Sequence, residues 1–205
     1  MTTPTTLRNI AGLPATPPAL ADAALVLIDC QNTYREGVMA LSGVEAALDE
    51  AARLLAAARR LGVPIFHIQH DAGPGSPYDV RQRIGAIADP VAPAADEPVI
   101  VKRFPNSFVD TDLEARLKAS GRQQVVLAGF MTHVCVNSTA RGAFNLGFAP
   151  TVVAAATATR DLPGADGSVV PAAAMQAASL AALGDLFAIV VPDTAALLPA
   201  GDRSA

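Results

Sequence analysis

The chain has 205 residues, 51% hydrophobic and 17% charged, which suits one domain with a sizeable core and excludes a disordered chain. Lys and Arg number 15 against 19 Asp and Glu, a net charge of −4 without a basic stripe, so no nucleic-acid partner is expected. No apolar run reaches the roughly 18 residues of a membrane helix, and no membrane association is expected. The first residues lack the basic segment and apolar core of a secretory signal. Two cysteines without such a signal point to reduced thiols in a cytoplasm rather than to a disulfide.

Residues 1–22, with Pro4, Pro14, Pro17 and Pro18, read as an arm that is frayed or laid across a neighbouring subunit. A single domain over 23–200 follows. The run 24–28 is continuously apolar, as in a strand buried on both faces, and it ends in Asp29. A carboxylate there either caps the next turn or lines a ligand site, since parallel α/β sheets bind ligands at the carboxyl ends of their strands. Cys30 follows Asp29 and faces the other way, as a small buried hydrophobe. Residues 44–61 form an Ala-rich helix, acidic early and basic late as the dipole prefers, stopped by Gly62.

The next strand, 63–69, has Pro64 at its start, where a missing N–H is tolerated. His67 and His70 fall on opposite faces and no third ligand is spaced to join them, so no metal site is expected. His67 reads as structural, and His70, at the strand's end, as a pocket residue. A long Gly/Pro-rich connection, about 71–98, is either a lid or a subunit contact. Residues 99–101 make a third strand, ending in Lys102, Arg103 and Phe104; by default a lysine there is a solvated surface residue. A helix over 112–120 follows, with Thr111 as its cap and Gly121 as its stop.

The apolar run 123–128 predicts a fourth strand, and 136–146 the helix after it. Between them lies Gly-Phe-Met-Thr-His-Val-Cys, residues 129–135. A cysteine at a helix entrance meets unpaired N–H groups and a positive dipole end, which predicts a thiol pKa below the ordinary value of about 8.5. Thr132 is the expected cap of that helix. The bland alternative is a packed core cysteine. A strand over 151–155, a Gly/Pro turn at 162–167, a helix over 170–183 and a strand over 186–191 complete the chain. Strands alternating with helices predict a doubly wound, six-stranded parallel sheet in the order 3-2-1-4-5-6, Rossmann-like, with helices on both faces. That order sets Asp29 and Cys135 side by side at the switch point, with Lys102 reaching in from further out.

The motifs Ile28-Asp-Cys-Gln-Asn32, Val101-Lys102 with Ser107-Phe108, and Gly129-x-x-Thr132-x-x-Cys135-Val136 with Ser138-Thr139-Ala140-Arg141 resemble the isochorismatase-like cysteine hydrolases. The resemblance covers about residues 23–192. It implies a catalytic triad of Cys135 as nucleophile, Asp29 as general acid/base and Lys102 as stabilising cation. It also implies a cis peptide at Phe130–Met131, an oxyanion hole from the N–H groups of Met131 and Cys135, and Tyr34 lining the pocket. His70 and Phe104 are further candidate pocket residues.

The implied activity is hydrolysis of a C–N bond in a small amide, ureide or lactam through a thioester, with no cofactor, in a homo-oligomer (dimer or tetramer). The alternatives are ether or ester hydrolysis of the isochorismatase type, in which the thiol is incidental, and a non-catalytic member of the fold. The isochorismatases of that family lack the cysteine. Its nicotinamidases carry an Asp-x-His metal motif that is absent from Phe66-His-Ile-Gln-His-Asp71.

Overall fold

The computed structural model describes residues 4–199. Six parallel strands form the sheet: β1 (Ala23–Ile28), β2 (Ile65–His70), β3 (Val99–Lys102), β4 (Gln124–Phe130), β5 (Ala149–Ala158) and, last in the chain, β8 (Ile189–Val191). Their order is β3-β2-β1-β4-β5-β8, the expected doubly wound arrangement with β8 as the sixth strand. A small hairpin, β6 (Leu162–Pro163) with β7 (Val169–Val170), stands where the Gly/Pro turn was expected.

The strand alternation explains the layers. In β1 every side chain is buried: Ala23, Leu25 and Leu27 join one core and Ala24, Val26 and Ile28 the other. The first core is closed by α2 (Val44–Leu61), whose buried Ala47, Leu48, Ala51, Leu54, Leu55 and Ala58 recur at helical spacing. Gly62, at φ 63°, ends α2 by donating to Ala58 and Arg59 carbonyls. The second core is closed by α3 (Leu113–Ala119), α4 (Asn137–Asn145) and α5 (Ala172–Asp185), through Leu113, Leu117, Ala140, Ala143 and Leu183.

Three expectations change. The arm carries a short helix, α1 (Leu7–Ile10), which lies on its own chain: Leu7 N–H donates to Asp185 Oδ1 (2.9 Å) and Arg8 to the Leu186 carbonyl (2.9 Å). Residues 1–3 of the arm, and residue 200 of the expected domain, lie outside the described residues. The last helix starts at Ala172, where Asp161 Oδ1 accepts the Ala172 N–H at 2.7 Å, and it runs on to Asp185, so Leu186 is its cap rather than the start of a strand. Finally, β4 continues through Gly129 and Phe130 before turning. Gly129 sits at φ 116°, and a Cβ there would lie 2.0 Å from the Ile28 carbonyl oxygen, so β4 approaches the end of β1 as closely as a glycine permits.

Candidate active site

Asp29 leaves the end of β1 at φ 50°, a left-handed conformation uncommon outside glycine and found among strained functional residues. Its carboxylate is fully buried, with Oδ2 2.7 Å from Lys102 Nζ. Lys102 is 1% exposed. The surface reading of this lysine therefore fails: it alternates inward along β3, and its stem crosses the end of β2 to reach Asp29.

Lys102 Nζ also donates to Cys135 Sγ at 3.4 Å and contacts His70 Nδ1 at 3.2 Å. The ammonium hydrogen-bonds the thiol and the imidazole while forming its ion pair with Asp29. The structure thus brings together Asp29, Lys102, Cys135 and His70.

Cys135 is not at the first turn of an α-helix. A π-type turn, Thr132–Val136, leads into α4, with Val136 N–H donating to the Met131 carbonyl at 3.2 Å. Thr132 is not a cap; its hydroxyl donates to the Ala158 carbonyl (3.0 Å), and His133 Nδ1 pairs with Thr159 Oγ1 (2.6 Å), pinning the turn to the end of β5. The Phe130–Met131 peptide is cis. Met131 and Cys135 are both buried, 7% and 5% exposed. On the far side of the turn, buried Ser107 and Thr139 hydroxyls meet at 2.8 Å and Ser107 N–H donates to Thr139 Oγ1 (3.1 Å), tying the stretch after Lys102 to α4.

The expected low thiol pKa is overturned. Burial first, and then the Asp29 charge, push Cys135 up to about 12 against the opposing pull of Lys102. Burial likewise raises Asp29, again opposed by Lys102. His70 is lowered to about 4 by burial and by Lys102, so its ring is neutral near pH 7. Asp29 and Lys102 thus form a buried pair beside a thiol that burial keeps protonated.

Tyr34, 1% exposed, packs edge-on against Phe130 (centroids 5.6 Å apart) and Tyr78 (5.8 Å), and Tyr78 in turn meets His70 (5.1 Å). Burial first, and then the nearby Asp29 carboxyl, hold the Tyr34 hydroxyl well above its ordinary pKa. Phe104, by contrast, is 47% exposed on the surface. His67 lies on the other sheet face with its Nε2 2.8 Å from Glu97 Oε2, in a cluster with Arg59, which agrees with its structural reading. Among the described residues no group of three or more His, Cys, Asp or Glu is placed to hold a metal ion.

Sequence reasoning passed over Tyr78, His133 and Gln31. Tyr78 sits in the long connection, where no periodicity marks a buried face. Gln31 was visible in the motif after Asp29, but its partners come from 39 and 54 residues away: its amide Oε1 accepts His70 N–H (2.9 Å) while Nε2 donates to the carbonyls of His70 (3.0 Å) and Gly85 (2.7 Å).

Comparison with known proteins agrees with this geometry. The isochorismatase domain family model matches residues 23–192. A crystal structure described as an isochorismatase from Pseudomonas putida KT2440 superposes with a TM-score of 0.92 at 39% identity, covering 96% of this chain and 100% of that one. A secreted isochorismatase effector of Verticillium dahliae is 35% identical over 90% of this chain and 95% of its own length. A ureidoacrylate amidohydrolase of Stutzerimonas stutzeri is 29% identical over 71% of this chain and 75% of its own. With a family match over 170 residues and the expected strand order, the chain belongs to the isochorismatase family of hydrolases.

Proposed function

We propose that this protein is a cysteine amidohydrolase that cleaves a C–N bond of a small amide, ureide or lactam. The observation that carries the reading is the buried Lys102 ammonium held between Asp29 Oδ2 at 2.7 Å and Cys135 Sγ at 3.4 Å. A dry ion pair is costly to build, and one shared with a thiol has an evident use in moving that thiol's proton. The name of the Stutzerimonas relative supports the C–N class.

The resting thiol is protonated, so its proton leaves as the carbon–sulfur bond forms. Asp29 takes the proton from Sγ while sulfur attacks the carbonyl carbon. Met131 and Cys135 N–H groups receive the developing oxyanion in this reading. Asp29 returns the proton to the departing nitrogen, leaving a thioester on Cys135. It then takes a proton from water, whose hydroxide displaces the thiolate as the carboxylic acid, and the proton goes back to sulfur. Lys102 compensates the negative charge as it passes between the Asp29 carboxylate and the sulfur. Tyr34 and His70 wall the crevice, and no cofactor takes part.

A homo-oligomer in the cytoplasm belongs to the same reading. Exposed Val99, Val101 and Phe104, on the edge strand and just past it, support the first, and two free thiols support the second. The secreted Verticillium relative makes location a question for fractionation, as oligomeric state is for light scattering.

The test is release of ammonia or amine over a panel of small amides, ureides and lactams, with intact-mass detection of an acyl adduct on Cys135. Turnover that survives Cys135→Ala, with no adduct trapped, overturns the proposal in favour of ether or ester hydrolysis.

A further inference from the structure

We propose that His70 is a positioning residue for the site: its ring nitrogen Nδ1 accepts a hydrogen bond from the Lys102 ammonium and so holds that ammonium against both Asp29 and Cys135. The inference rests on the reading of Lys102 as the cation of a thiol site, and it assigns His70 a task beyond lining the crevice.

A lysine side chain has four rotatable bonds and a compact, freely turning head, so two partners alone leave its orientation loose. At this site three partners surround one nitrogen, with Asp29 Oδ2 at 2.7 Å, His70 Nδ1 at 3.2 Å and Cys135 Sγ at 3.4 Å. The sulfur contact is the longest and the softest of the three. Without His70 the ammonium would settle on the carboxylate and let the thiol go.

The tautomer follows from chemistry. An ammonium carries donors alone, so Nδ1 must present its lone pair and the ring proton sits on Nε2. A charged imidazolium could not serve, and burial beside Lys102 keeps the ring neutral; Asp71 is the one nearby charge that pulls the other way.

The rest of the fold holds His70 as an acceptor should be held. The Gln31 amide grips its backbone from both sides, at 2.9 Å to the N–H and 3.0 Å to the carbonyl. Tyr78 stands edge-on to the ring at 5.1 Å and 81°, which fixes its plane. Asp71 N–H donates to the Lys102 carbonyl at 2.9 Å, and His70 pairs with Lys102 in the β2–β3 register, so acceptor and donor share one frame. This is the preorganised support that an aimed charge requires.

Two substitutions separate this role from packing. In His70→Asn the amide oxygen falls near the position of Nδ1 and keeps an acceptor, whereas in His70→Gln the longer side chain carries its amide to the position of Nε2. His70→Leu removes the acceptor altogether. The readout is the pH profile of Cys135 alkylation by iodoacetamide, followed by peptide mapping, which needs no substrate. If the amide panel yields no activity, the profile still tests His70.

His70→Asn is expected to follow the wild-type rates between about pH 7 and 9 within about twofold, while His70→Gln and His70→Leu slow alkylation at pH 8 by about tenfold, as loss of one hydrogen bond to a charged group implies. On any substrate found, the Gln and Leu variants should lower kcat and leave KM in place. Wild-type alkylation in either folded Gln or Leu variant, or equal loss in the Asn variant, overturns the proposal.

Discussion

Cys135 and Cys30 are both buried, free thiols, yet they sit in different chemical settings. Cys30 belongs to the core under α2, its thiol raised by burial and by Asp29, with no cation beside it. Cys135 belongs to the other core and has Lys102 at 3.4 Å. Cys135→Ala should therefore abolish hydrolysis, whereas Cys30→Ala should retain turnover and lose about 1 kcal/mol of stability or less, measured by urea unfolding. Asp29→Asn should keep the fold and lose about 10²–10⁴ in rate, the usual worth of a general acid/base. Lys102→Met leaves a carboxylate buried without its partner and should cost about 3–5 kcal/mol. Adding Asp29→Asn to Lys102→Met should restore much of that stability without restoring turnover, a pattern that a double-mutant cycle would reveal. Additive losses in that cycle would mean that the pair is not coupled.

At the scale of elements, what the sequence made legible depended on whether the deciding contact was local. The helix Val44–Leu61 was readable to the residue because its apolar spacing, its charges and Gly62 all lie within its own span. The π-type turn at Thr132–Val136 was not, because its residues resemble an ordinary helix start and the bonds that shape it go to Ala158, at the end of β5, and to Thr159 just past it. For the same reason the depressed thiol pKa was a wrong expectation: a helix end can be read locally, whereas burial cannot. Strand order placed Asp29 and Cys135 side by side and let Lys102 reach in from further out, but nothing near Lys102 in sequence says that it points inward, and its role came from the family resemblance. Phe104, a candidate from its position after a strand, turned out exposed because the chain leaves the sheet at Arg103. Gly129 gives a direct test of an element's placement. A side chain there meets both φ 116° and the Ile28 carbonyl, so Gly129→Ala should destabilise by about 2 kcal/mol or more and lower the yield of folded protein.

For the molecule as a whole, acid stability should be set at sites away from the thiol as well as near it. Glu97, bonded by Arg59, the Ala94 N–H and His67, is held at about 2, below its unfolded value of 4.5. A depressed carboxylate contributes stability that is complete above the unfolded pKa and is lost as pH falls through 4.5 toward 2. That contribution is up to about 3 kcal/mol for a shift of this size. His70, lowered from 6.5 to about 4, acts with the same sign in a higher window: the unfolded chain binds the proton first, so stability falls as pH drops from 6.5 to 4. Asp29, raised by burial, opposes both between its unfolded and folded values. Urea midpoints measured from pH 7 to 3 should decline in two stages, and Glu97→Gln should flatten the lower one. An unchanged lower stage in that variant would assign it to another carboxylate.

The connection between β2 and β3 is sewn to the chain after β1. Besides the Gln31 amide, Asn32 N–H donates to the Ala86 carbonyl at 3.0 Å, Ala88 N–H to the Cys30 carbonyl at 2.8 Å, and Asn32 Nδ2 to the Arg83 carbonyl at 2.9 Å. These bonds hold residues 83–88 against the chain after β1, and a wall that stays fixed is the expected consequence. With such a wall, selection among ligands is expected to fall on shape rather than on closure around a captured guest. In stopped-flow mixing with a slowly hydrolysed analogue, the observed rate should climb in a straight line with concentration, in a single phase and without a plateau. A plateau would report a gating step, and amide exchange over 83–88 would then show which stitch had to part.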